Sequence, residues 1–92
     1  MDSAELIRAA NEGNQAIVTE LLQAKAQPNA SSNYGHTALH WAADKGSQAV
    51  VDMLLQAKAD PTAVDKNGDI AAKEAERVGH AEVAKRLAEA RP

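Results

Sequence analysis

One unit of 33 residues, written nearly three times, constrains this chain more than anything else in it. Gly13, Gly46 and Gly79 recur at that interval, as do Gly35 and Gly68, and Pro28 and Pro61. "LLQAKAQP" at 21–28 returns as "LLQAKADP" at 54–61. Residues 1–33 match 34–66 at 15 of 33 positions, and 34–59 match 67–92 at seven of 26. The weaker match still keeps the glycine pairs, Val50/Val83 and Leu54/Leu87. A period of this length signals stacked supersecondary units. One domain is expected, with units near 1–33, 34–66 and 67–92.

Inside each unit the apolar spacing is helical. Leu39, Ala42 and Ala43 follow i, i+3, i+4, and Val50, Val51, Leu54 and Leu55 form a second stripe. Leu6, Ala9 and Ala10, then Ile17, Val18, Leu21 and Leu22, repeat the pattern in the first unit. Thr37 is placed to cap a helix N-terminus, with Gly46 closing the same helix in a left-handed conformation. Asn14 and Ser47 are the matching caps for the second helices. Pro61 and the polar run to Gly68 predict a long turn. The expected helices are 3–11, 15–24, 38–45, 48–57, 71–78 and 81–90.

A single helix pair cannot bury its own stripe, whereas stacked pairs can, so the fold class is an all-α solenoid. Composition agrees. Alanine occurs 21 times and phenylalanine never, so the core must come from close helix contacts, and alanine favours helix. End units meet water on one side and should be more polar. In the third unit Leu39 becomes Ala72, Val51 becomes Ala84, Met53 becomes Arg86 and Leu55 becomes Ala88, which reads as a C-terminal cap.

The charge of −3 and the lack of a basic cluster argue against nucleic-acid binding. There is no cysteine, so disulfides and thiolate metal sites are excluded. No apolar run approaches a membrane span. The N-terminal "MDSAELIRAANEG" lacks the cationic and apolar regions of a signal peptide. An intracellular, cytoplasmic monomer is the expectation.

The segment "YGHTALHWAADKG", 34–46, gathers the single tryptophan, the single tyrosine and two histidines. His36, His40 and Asp44 are four residues apart, which on one helix would align three metal ligands. The Thr37 cap instead puts His36 outside the helix, so that shared face does not form and no metal or cofactor is expected. Catalysis finds no support either. The serines lack a histidine–acid pattern, and Glu74, Glu76, Glu82 and Glu89 alternate with Lys73, Arg77, Lys85 and Arg86 as on a solvated helix face.

The run G-H-T-A-L-H-W-A-A-x-x-G, with Val50, Val51, Leu54 and Leu55 behind it, resembles the ankyrin repeat. Unit two carries the signature at Gly35, Thr37, Leu39, His40, Ala42, Ala43, Gly46, Ala59 and Asp60. Unit one joins it from Leu6, Ala9, Ala10 and Gly13 to the "AQPNA" turn at 26–30. Unit three keeps Gly68, Ala75, Gly79, Val83 and Leu87. The resemblance implies that Thr37 and His40 hydrogen-bond locally and tie neighbouring turns, and that His80 belongs to the scaffold. Three positions depart from it. Ala38 stands in place of the usual proline, and Lys73 in place of the signature histidine. Lys25 and Lys58 occupy the glycine position after the second helix, where the family's backbone would be left-handed.

The resemblance further implies a protein-binding module that meets a protein or peptide partner through turn tips and first-helix edges. The free positions there are Asn33, Tyr34, His36, Asp44 and Lys45, then Lys66, Asn67, Asp69, Arg77 and Val78. Unit one contributes Asn11, Glu12 and Ser3. Tyr34 and His36 lead the list, and Trp41 is expected to pack. Asn29 sits where some ankyrin repeats are hydroxylated. The competing reading is a scaffold without a partner of its own, designed or cut from a longer array.

Overall fold

The computed structural model describes residues 3–91, with six helices. They are α1 (Ser3–Glu12), α2 (Gln15–Gln23), α3 (Ala38–Lys45), α4 (Gln48–Gln56), α5 (Ala71–Val78) and α6 (Ala81–Ala90). Each lies within a residue of its expected bounds. Among the described residues there is no strand beyond an isolated bridge between Ser31 and Thr37.

The order of packing is that of a solenoid. The first helices stack α1–α3–α5 and the second helices α2–α4–α6, with each pair closing on itself. One continuous core results. Leu6, Val18, Leu39, Val50, Val51, Leu54 and Leu87 are its largest sealed side chains, and alanines at 9, 10, 38, 42, 43, 71, 72 and 75 let the helices approach closely.

Local chemistry sets the helix ends. Thr37 caps α3 in a reciprocal box: its hydroxyl accepts from the His40 N–H, and the His40 ring accepts from the Thr37 N–H. Gly46 ends α3 at φ 71°, the left-handed region that glycine enters without a Cβ clash. The carboxamide of Asn14 accepts from the N–H of Ile17 and caps α2. Ser47 departs from expectation. It holds the cap position of α4 without a side-chain hydrogen bond. Its hydroxyl is turned toward the preceding unit, 3.3 Å from where a Cβ on Gly13 would stand. In unit three Ile70 replaces the capping threonine and Lys73 the histidine, and α5 starts with no side-chain cap.

The C-terminal unit is polar as expected. Arg86 Nε donates to Asp52 Oδ1 at 2.9 Å, joining the cap to the central unit. Met53, the residue equivalent to Arg86, is half-buried against the core and accepts from the hydroxyl of Thr19.

Lys25 and Lys58 have φ of 70° and 73°. They hold the left-handed backbone with a side chain attached, which strains an L-residue. Both are exposed, so neither conformation is imposed by side-chain burial. Lys58→Gly should therefore raise stability by about 0.5–1 kcal/mol. A urea midpoint that stays in place or falls would show that glycine's unfolded-state entropy outweighs the relief of strain.

Candidate functional site

The turns before α3 and α5 place the candidate residues. In the first, the Ser32 N–H donates to the His36 carbonyl and the Gly35 N–H to the Ser32 carbonyl. In the second, the Asp65 N–H donates to the Asp69 carbonyl and the Gly68 N–H to the Asp65 carbonyl. The Lys66 N–H donates to the Tyr34 carbonyl at 3.0 Å and registers one turn against the next. At the tips Tyr34 is 69% exposed, with the Lys66 ammonium 5.7 Å from its ring centroid.

His40 locks the base of these turns. Its Nδ1 accepts from the Thr37 N–H at 3.1 Å, so the ring proton belongs on Nε2, which lies 2.8 Å from the Asp69 carbonyl. One side chain thus caps α3 and binds the next turn. That is the role the resemblance implied for it.

Asp65 is the hub that sequence reading missed. Composition made 65–68 a turn, but Asp65 is also buried. Its carboxylate accepts from the N–H groups of Asn67 and Asp69 and lies 3.2 Å from His36 Nε2. Burial works against the charge. The Asp69 and Asn67 donors, with the imidazoles of His40 and His36, outweigh it and hold the carboxyl below its ordinary 3.8. An Asx motif, Asp65 two residues before Asn67-Gly68, was the available signal.

His36 lies outside α3, as the cap position predicted. It is half-buried, meeting Asp65 on one side and stacking edge-on against His40 and Trp41 at 5.7 and 5.4 Å. Much of the His36 side chain is thus scaffold contact, with 30% of it exposed. Among the described residues, no three His, Asp or Glu side chains converge as a metal site would require.

Two cavities flank Trp41 on the side formed by the first helices and turns. The smaller, about 210 Å³, brings together His36, Asp44, Asn67 and Arg77 from the candidate set, with Trp41 and Glu74. Arg77 pairs with Glu74. Burial, and a hydrogen bond shared with Asp44, raise the Glu74 carboxyl above its ordinary 4.5, while Arg77 and His36 work the other way. The larger, about 510 Å³, is lined by Arg8, Asn11, Ser31, Ser32, Asn33 and Trp41 among others. Asn33 therefore belongs to the second cavity, not the first. Lys45 and Val78 are exposed at the ends of α3 and α5 and line neither. Asp69 takes part through its backbone. Glu12 is exposed, and the side chain of Ser3 lies outside the described residues. Trp41 is half-buried as a wall shared by both cavities, and Glu74 joins it there as a lining residue absent from the sequence-derived set.

Asn29 ties two long turns together, with its oxygen accepting from the Asp60 N–H and its nitrogen donating to the Lys58 carbonyl.

No curated protein matches the chain. A family model for ankyrin repeats in three copies matches residues 6–92. Together with the stacked helix pairs, the paired turns and the Thr37–His40 lock, that match places the chain in the ankyrin-repeat family.

Proposed function

We propose that this chain is a protein–protein interaction module that binds a protein or peptide through its turn tips and first-helix edges. Ankyrin repeats generally serve as such modules and are typically non-catalytic. The reading treats the chain as one domain of three units, 1–33, 34–66 and 67–92, acting as a monomer inside the cell. No helix among the described residues is long and apolar enough to cross a membrane.

The observation that carries the proposal is the exposed Tyr34 at the turn tip, two residues before His36, which lines the smaller cavity with three other candidates, Asp44, Asn67 and Arg77. Asn33, Lys45, Lys66 and Asp69 extend the surface around them. A tyrosine offers a large amphipathic contact at low conformational cost. The competing scaffold reading needs no such surface.

Tyr34 tests the proposal more cleanly than His36, because His36 also ties Asp65. Tyr34→Ser should leave thermal unfolding within about 0.5 kcal/mol, as exposed sites do. It should also weaken a captured partner by about 30-fold, the loss of a hot-spot aromatic near 2 kcal/mol. The partner comes from affinity capture in the native cell with mass spectrometry. A partner held equally by both forms would take Tyr34 out of the binding surface, and no partner at all favours the scaffold.

A further inference from the structure

We propose that the larger cavity, between α1, α3 and the turn at 31–33, seats an acidic side chain of a polypeptide partner. The inference rests on the module reading and adds the partner's chemistry. The cavity encloses about 510 Å³, within the roughly 300–1,000 Å³ of ligand sites. Arg8, Asn11, Ser31, Ser32, Asn33 and Trp41 supply its polar lining. Among the described residues no carboxylate lines it, in a chain with 13 acidic residues against 10 basic ones.

Arg8 is exposed, and no ion pair engages it among the described residues. Glu5 and Glu12 lie about one turn to either side of it on α1, yet neither is within ion-pairing distance. A planar guanidinium beside hydroxyls and amides is a fork for a carboxylate.

Trp41 and Asn11 say what the carboxylate is attached to. Indole Nε1 can only donate. Here it is sealed from solvent with no partner among the described residues, and Asn11 Oδ1 is an acceptor in the same condition. Both residues line this cavity. One donor and one acceptor are what a single peptide group satisfies with its C=O and N–H. A free carboxylate, which only accepts, would leave Asn11 Oδ1 unanswered, whereas hydrogen phosphate keeps an O–H to donate and is the sharper control. The terminal torsion of asparagine is soft, and the proposed seating requires the amide and the indole to turn until both atoms face this cavity. Across Trp41, the smaller cavity holds Asp44 and Glu74. Arg77 there is already paired with Glu74, and Asp44 adds a further carboxylate, which leaves the unpaired Arg8 as the better seat for an acidic side chain.

The single tryptophan gives one indole N–H resonance to follow. The ¹⁵N-labelled chain is titrated at constant ionic strength with the pentapeptide acetyl-AEAEA-amide, then with acetyl-AKAKA-amide. The acidic peptide should shift the Trp41 indole and the amides of 31–33 saturably, and the basic one should not. Arg8→Gln, at an exposed position, should keep the spectrum dispersed and weaken the acidic peptide at least tenfold, with Arg8→Lys intermediate. The proposal falls if the acidic peptide gives no saturable shift there, if the basic peptide shifts the same set, or if Arg8→Gln binds as tightly. It also falls if sodium phosphate alone reproduces the shifts, since the seat would then take free anions. If Tyr34→Ser releases a captured partner while the indole ignores the acidic peptide, the module reading stands without this seat.

Discussion

Leu54→Ala is expected to cost about 2–5 kcal/mol and to move the whole unfolding transition. Leu54 is fully buried on α4, the second helix of the central pair, which among the described residues has a neighbour on each side. Because α4 packs against both α2 and α6, truncating its fully buried leucine should loosen the stack on both sides. Three repeats are near the minimum for a stable stack, and domain stability is typically only about 5–15 kcal/mol. The loss is therefore a large share of the total. Urea unfolding followed by circular dichroism measures it. A cooperative transition with its midpoint in place would mean that the helix pairs hold themselves without stacking.

His40→Ala is the second large effect, and it arises from polar chemistry. Removing the ring leaves the buried Thr37 N–H unpaired and takes one of two donors from the Asp69 carbonyl, which keeps the Asp65 N–H. Each buried group left unpaired costs about 1–3 kcal/mol. The expected signature is local as well as global. Amide exchange should quicken in the first turn of α3 and in the turn at 65–69, including residues far from position 40 in sequence. In the parent, long-range ¹H–¹⁵N correlation should find the ring proton on Nε2. Finding it on Nδ1, or a variant with unchanged stability, would remove His40 as the lock.

The fold was legible because its determinants are periodic. Glycine spacing, the helical stripes and the Thr37 cap each depend on neighbours a few residues away, and the helices came out where those signals put them. The Lys25 and Lys58 strain was also readable, from a glycine position filled by another residue. Less of the candidate site was readable, because its geometry is made between units. Asp65 acquires its burial only when one turn folds against the one before it. Ser47 looked like an ordinary cap, but its hydroxyl faces Gly13 of the previous unit. Trp41 looked like packing, and it does pack against His36, yet the stacking also makes it a partition between two cavities of unlike charge. Arg8 attracted no notice in sequence, since its significance is that the nearby Glu5 and Glu12 do not pair with it.

The junction at Gly46 bears on whether these units are interchangeable. A Cβ there would lie 2.7 Å from the ring of His80, whose Nε2 is 3.1 Å from the Asp44 carbonyl. At Gly13 the corresponding neighbour is the smaller Ser47, at 3.3 Å. A histidine-led unit therefore demands a glycine-ended predecessor, and a serine-led one is less exacting. Shuffling, duplicating or grafting units of this chain must respect that compatibility, so the order of the units is itself inherited information.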